Sequence, residues 1–244
     1  MMNKLKEEKS PYLKQHQDNP VNWFAWNKES LEIAKKEKKP IFLSVGYSSC
    51  HWCHVMAHES FEDSQTAKIM NEKFINIKVD REERPDLDYV FQRSLSILTG
   101  TQGGWPLSMF LDENGVPFTG GTYFPPKEMH GRPDFQKVLN NVSEVYNKNR
   151  QKILDQAPQM KEIFGKINQK SAVLNQSLEP FLEKIMQHLD KDNGSFKGAP
   201  KFPQFYLFDA MFYFYLKTGK EEYFKSVETL LYNISSKGMY DHLS

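Results

Sequence analysis

The sequence predicts an α/β protein: a central mixed β-sheet with helices on both faces, followed by a partial all-α segment. Three observations carry the prediction. Helical and strand-like patterns alternate up to about residue 157; two of the strands flank a helix and so run parallel; and the turn Asp112-Glu113-Asn114-Gly115 folds two more into an antiparallel hairpin. Beyond residue 177 apolar residues recur at helical spacing.

Each element has its own signal. Residues 22–38 carry Trp23, Trp26, Ser30 and Ala34 at helical spacing and end in Lys35, Lys36, Lys38 and Lys39 before Pro40, so a helix is expected there. The run Ile41-Phe42-Leu43-Ser44-Val45-Gly46 reads as a buried strand. Helical sequence then continues through Phe61, breaks near Asp63-Ser64 and resumes to Lys73. Phe74-Ile75-Asn76-Ile77-Lys78-Val79 alternates with the period of a strand. Leu87, Val90, Phe91, Leu95 and Leu98 mark a helix, residues 100–106 a glycine-rich loop, and Leu107-Ser108-Met109-Phe110-Leu111 the strand that enters the hairpin, returning along residues 116–119. A helix over 134–157 closes the unit. Further helical sequence at 159–170 and a polar linker at 171–177 follow.

Three aromatic-rich helices come last, around Phe181 and Leu189, Phe208 and Tyr215, and Tyr223 and Leu230. The expected division is therefore 1–170 and 171–244. Three such helices leave apolar surface exposed, which predicts self-association, partial disorder or docking onto the first unit.

Composition narrows the function classes. With 32 basic and 31 acidic residues the formal charge is +1, which favours neither nucleic acid nor an acidic membrane as partner. The first ten residues hold no apolar core of a signal peptide, and nowhere do about 18 uncharged apolar residues run together, so a cytoplasmic location is expected.

The chain has two cysteines, and both lie in Cys50-His51-Trp52-Cys53, between a strand and a helix. In a reducing compartment such a pair is catalytic or metal-binding rather than a structural staple. Unpaired N–H groups at a helix N-terminus favour an anion, so Cys50 is expected as an exposed thiolate nucleophile with a pKa of roughly 3.5 to 7.5. Cys53, one turn in, would resolve the mixed disulfide, and a protonated His51 would stabilise the thiolate and make the disulfide more oxidising. Two other readings use neighbouring residues. Cys50, Cys53, His54 and His58 offer a Cys2His2 zinc set, a non-catalytic alternative. Cys50 to His54 also matches the CxxCH pattern of haem c attachment, but no export signal accompanies it. No cofactor is expected on the redox reading. Trp52 and Trp105 would form either an apolar rim that selects substrates or a cover over the dithiol, and Pro106 either opens the next strand as an ordinary trans residue or adopts the cis form.

Residues 10–126 resemble the thioredoxin-like domain of the spermatogenesis-associated, YyaL-type family. The resemblance rests on Ser10-Pro11-Tyr12-Leu13, Asn19-Pro20-Val21, Cys50-His51-Trp52-Cys53-His54-Val55-Met56, Glu59-Ser60-Phe61, Val79-Asp80-Arg81-Glu82-Glu83-Arg84-Pro85, Gly103-Gly104-Trp105-Pro106 and Gly120-Gly121-Thr122-Tyr123-Phe124-Pro125. It implies a thioredoxin-like fold, a cis Pro106 beside the dithiol, and substrate held along Trp105-Pro106 by strand addition. It also implies a buried Asp six residues before the first cysteine, where this chain has Ser44. Ala57 likewise stands where the family has an acidic residue. Family members continue into an (α/α) barrel resembling sugar-processing enzymes, and Gly198-Ala199-Pro200-Lys201-Phe202-Pro203 resembles its beginning, so the chain, ending at Ser244, is expected to be truncated. The function expected is a thiol-disulfide oxidoreductase acting on protein or small-molecule thiols through Cys50, Cys53 and His51, with Trp52, Trp105 and Pro106 holding substrate. A redox-regulatory role in a carbohydrate-processing protein follows from the resemblance alone.

Overall fold

The structure, a computed structural model, describes residues 2–129, 131, 133–167, 177–199 and 201–238. These fall into two compact units, one within residues 1–169 and one within 170–244. Most of the expected 171–177 linker, Pro200 of the barrel-like motif and the chain end at Tyr240-Asp241-His242-Leu243-Ser244 lie outside the described residues.

The first unit is built on strands β1 (Trp23–Ala25), β2 (Ile41–Gly46), β3 (Ile75–Asp80), β4 (Leu107–Leu111) and β5 (Pro117–Gly121), joined in the order β1-β3-β2-β4-β5. β1, β3 and β2 are parallel, and β4 and β5 are antiparallel to their neighbours. The helices are α1 (Pro11–Lys14), α2 (Lys28–Glu37), α3 (His51–Met56), α4 (Ser64–Lys73), α5 (Pro85–Thr99) and α6 (Phe135–Ile167), and a π-helical turn, Ala57–Phe61, joins α3 to α4. Residues of α2 and α5 cover one face of the sheet, and residues of α1, α3, α4 and α6 cover the other. This is a thioredoxin-like fold.

The strands expected at 41–46, 74–79 and 107–111 are present within a residue, but the N-terminal helix differs from expectation. Trp23-Phe24-Ala25 is an edge strand paired with Asn76 to Lys78, and the helix begins only at Lys28. The Asn27 side chain accepts the Ser30 N–H at 2.9 Å while Ser30 Oγ accepts the Asn27 N–H, a capping box that fixes the start. Tertiary pairing overrides helical spacing here because β3 offers Trp23 both a backbone partner and a fully buried site. The two helices expected at 134–157 and 159–170 are one element, kinked at Asn149, as far as residue 167.

Aromatic packing centres on Phe42, whose ring lies 5.3 Å from Phe110, 5.4 Å from Phe135 and 6.2 Å from Trp23. The alternation read in β3 proves to separate two buried faces. Asn76 and Lys78 are each only 1% exposed. They lie with Ser44 and the cysteines on the Phe42 side, opposite the aliphatic layer of Leu43, Val45, Ile77 and Val79.

The second unit packs α7 (Glu179–Met186), α8 (Phe205–Thr218) and α9 (Glu221–Ser236) around Leu182, Phe208, Met211, Tyr223 and Leu230. Tyr206, Tyr213, Leu216 and Tyr232 remain exposed. Among the described residues no helix is long and apolar enough to cross a membrane.

His16 follows α1, is 2% exposed, and shares a hydrogen bond with Asn19 through Nδ1 at 3.0 Å. Burial, aided by the nearby Lys78, lowers its pKa to about 2. The unfolded chain takes up this proton below about pH 6.5, whereas the fold does not, so the stability from a neutral His16 is whole above that pH and drains away as pH falls towards 2. Denaturant titrations across this acidic range should lose up to about 1.4 kcal/mol per pH unit through His16 alone, and His16→Gln should flatten the slope by about one proton. An unchanged slope in the variant would refute this assignment.

Candidate active site

Cys50 is the N-cap of α3, with extended backbone (φ −77°, ψ 104°), and its Sγ accepts the N–H of Cys53 at 3.2 Å. The two sulfurs are joined in a disulfide, with Cα atoms 5.2 Å apart. An amide at the tip of a helix therefore already points at the sulfur that would carry negative charge after reduction. Cys50 differs from expectation in one respect: it is 3% exposed rather than open. Bonding to Cys53 places it in the apolar cluster with Met56 and Phe61, against which Tyr47, Trp105 and Tyr123 pack.

The residues expected to hold substrate take part in two aromatic contacts, one of Trp52 with Tyr123 and one of Trp105 with Tyr47. Trp52 is 53% exposed and leans on Tyr123, with ring centres 5.2 Å apart, while Tyr123 donates to Glu59 at 2.5 Å. His51 is exposed and meets Trp52 edge-on at 5.7 Å. Trp105 sits against Tyr47, and its peptide bond to the buried Pro106 is cis. Its indole N–H donates to Asp88 at 2.9 Å, and the Arg81 guanidinium lies 4.2 Å from its ring centre. Gln92 spans Asp88 and the Gly104 carbonyl at 3.3 and 3.2 Å. Sequence reasoning did not single out Tyr47, Arg81, Asp88 or Tyr123 individually. Arg81 and Tyr123 stand inside quoted motifs, but nothing in the spacing of Asp88 announces its bond to Trp105.

The zinc set is not brought together. Its two sulfurs are bonded to each other; His54 turns Nε2 to the Ser48 carbonyl at 2.8 Å, and the exposed His58 pairs through Nδ1 with Glu62 at 2.9 Å. The π-helical turn from Ala57 takes more residues per turn than an α-helix, which offsets His58 from the i, i+4 position on which a shared face with His54 rests. Among the described residues no group of three or more His, Cys, Asp or Glu side chains is arranged to hold a metal ion.

Beneath the disulfide lies Gly46, the last residue of β2. A Cβ there would fall 2.3 Å from Tyr12 Oη and 2.7 Å from Cys53 Sγ, so only glycine lets α1 and α3 converge on the strand. Gly46→Ala should therefore cost about 1–3 kcal/mol by overpacking, and Tyr12→Phe, which removes the closest atom, should recover part of that loss. Equilibrium unfolding of the two single variants and the double variant checks this; additive losses would contradict it.

The family profile Thioredox_DsbH, described as a protein of unknown function, DUF255, matches residues 2–165. Over 249 residues the chain is 41% identical to the uncharacterized protein B0495.5 of Caenorhabditis elegans, an alignment covering 99% of this chain and 34% of that one. It is 40% identical over 221 residues to spermatogenesis-associated protein 20 of Homo sapiens, covering 88% of this chain and 28% of the relative. The chain thus spans about a third of the length of these curated relatives. Among solved structures, a DsbH oxidoreductase aligns with 52% of this chain and 83% of its own at 20% identity and a TM-score of 0.36. By the profile match over residues 2–165, the chain belongs to the DsbH-type thioredoxin family, DUF255.

Proposed function

We propose that the first unit is a thiol-disulfide oxidoreductase in which Cys50 attacks and Cys53 resolves. The observation that carries this reading is the Cys50–Cys53 disulfide at the tip of α3, with the Cys53 amide aimed at Cys50 Sγ. On reduction that amide meets a thiolate, and a charge-assisted hydrogen bond at a helix N-terminus favours the anion that attacks a substrate disulfide. Attack forms a mixed disulfide at Cys50; Cys53 then closes the ring and releases the second substrate thiol. The partners on this reading are protein or small-molecule thiols and disulfides. Trp105 and Pro106 supply one edge of the substrate groove, with extended backbone as the matching ligand shape. Trp52 and Tyr123 supply an exposed aromatic ridge beside it.

His51 is the tuning residue. A positive charge there would stabilise the thiolate, so His51→Ala should make the disulfide harder to reduce. Equilibration against glutathione buffers measures this, and a potential unaffected by the substitution would remove His51 from the site.

Variants of the two cysteines test the reading as a whole. Cys50→Ser should abolish reduction of glutathione disulfide by about 10³-fold or more, whereas Cys53→Ser should accumulate a stable glutathione adduct on Cys50. Retained turnover in Cys50→Ser, or thiols in the wild-type protein that never exchange with glutathione, would overturn it.

A further inference from the structure

Three segments of chain meet at one end of the sheet. β2 and β3 are parallel and finish in register at Gly46 and Asp80, so the residues that follow them, Tyr47 and Arg81, leave the sheet together, and β4, which runs the other way, is entered from the same end by Trp105. The disulfide lies here too: the Cys50 N–H donates to the Tyr47 carbonyl at 3.1 Å, and the Arg81 N–H donates to the Gly46 carbonyl at 2.9 Å. The carboxyl ends of parallel strands are where open α/β sheets take their ligands. The Arg81 guanidinium carbon stands 4.2 Å from the ring centre of Trp105 and 5.2 Å from that of Tyr47, so two π-faces fix its position. Among the described residues only Asp88 comes within ion-pair reach of it, with Oδ2 3.9 Å from Nε, too far for a hydrogen bond, while Asp88 Oδ1 accepts from the Trp105 indole at 2.9 Å and from Gln92 at 3.3 Å. The guanidinium makes no hydrogen bond among the described residues, and 37% of the side chain is open to solvent. Arg84, three residues on, marks the contrast: its Nε and Nη2 donate to the two oxygens of Asp86 at 2.9 and 2.7 Å. A guanidinium is a flat fork of donors matched to a carboxylate. In Arg84 the chain itself fills the fork; in Arg81 the fork is held in place and left open.

We infer that Arg81 is a specificity-determining residue whose guanidinium receives an acidic side chain of the substrate, next in sequence to the cysteine that reacts with Cys50. The inference rests on the oxidoreductase reading and adds to it a class of substrate: a peptide disulfide flanked by Asp or Glu. Backbone laid along Trp105-Pro106 passes beside the ring on which Arg81 is stacked, and successive side chains of an extended segment turn to opposite sides, so a neighbour of the reacting cysteine meets that ring. A carboxylate arriving there gains charge-assisted hydrogen bonds, at small entropic loss on the protein side because the rings already hold the guanidinium still. Asp88 does not fill the place, since its Oδ1 is taken by Trp105 and Gln92 and its Oδ2 stands off on the Nε side. The formal charge of +1, and the exposed Glu82 and Glu83 that follow Arg81, supply no positive field to draw acidic peptides from a distance. The preference therefore comes from contact with one group, and a single substitution should remove it.

The test compares end-blocked peptides, each joined to its own copy by a disulfide and differing only in whether Glu, Gln or Lys stands on both sides of the cysteine. Reduced full-chain protein is mixed with each peptide, quenched in acid, and the released peptide thiol is counted by mass spectrometry. Each rate is divided by that of the same peptide with dithiothreitol, which removes differences in the reactivity of the peptide sulfurs themselves. The wild-type protein should reduce the Glu peptide about 10-fold faster than the Gln peptide, and added salt should shrink the ratio. Arg81→Met keeps an apolar stem against the rings, so it should bring the ratio to about 1 while the Gln peptide reacts within about threefold of the wild-type rate. Arg81→Glu should invert the order and favour the Lys peptide. A wild-type ratio near 1 overturns the assignment without any variant, even should the substitutions fold poorly. So does a ratio that survives in Arg81→Met, or a variant that slows all three peptides by the same factor, which would make Arg81 only a prop for Trp105. A wild-type protein that reduces none of the peptides overturns the oxidoreductase reading and this assignment with it.

Discussion

The close approach at Gly46 governs what the first unit can present. β2 ends there, and the missing side chain lets the Tyr12 hydroxyl and the Cys53 sulfur occupy the same small volume. The surrounding bonds make this crowding cooperative. The Arg81 N–H donates to the Gly46 carbonyl at 2.9 Å, Asp80 is the register partner of Gly46, and Asp80 receives the hydroxyl of Ser10, which itself caps α1. A single glycine thus ties the first helix, two strands and the disulfide-bearing helix into one arrangement. Because each link holds the next, displacement at one is felt at the sulfur.

The sheet divides its labour between its faces. On the side covered by α2 and α5, Leu43, Val45, Ile77 and Val79 build a dry aliphatic layer, the large favourable term in folding. On the other side Ser44, Asn76, Lys78 and Asp80 are buried among aromatic rings. Polar groups in such surroundings cost free energy unless partnered, and in low dielectric they also interact strongly with one another. Stability comes chiefly from the first face. On the proposed reading, the chemistry comes from the second.

Much of this was legible in the chain. The apolar run of β2, the alternation of β3 and the Asp112 to Gly115 turn each carried a local signal strong enough to locate it, and the cysteines marked the strand-to-helix junction where the disulfide lies. β1 was not legible, because three residues are too few for a period of two to show, and Trp23 happens to stand at helical spacing from Trp26. The Asn27 capping signal lay in the sequence and would have moved the helix start. Lys78 was hidden for a different reason. Alternation reports which side a residue faces, not what covers that side, and the rings over Lys78, those of Tyr12, Trp23 and Phe61, come from three separate stretches of chain. The loss of a shared face for His54 and His58 was equally invisible, since nothing in Ala57 to Phe61 distinguishes a π-helical turn from an ordinary one.

The bonds around Trp105 carry a further consequence. Its indole is held by Asp88, overlaid by Arg81 and braced through Gln92 on the loop backbone, so on the proposed reading this edge of the groove is set before a substrate docks. A rigid rim loses little conformational entropy on association, and the ordering penalty then falls on the incoming chain. Such a site discriminates by the stiffness of its guest: a segment already stretched out fits at low entropic loss, whereas a sulfur within a compact turn must first be pulled straight.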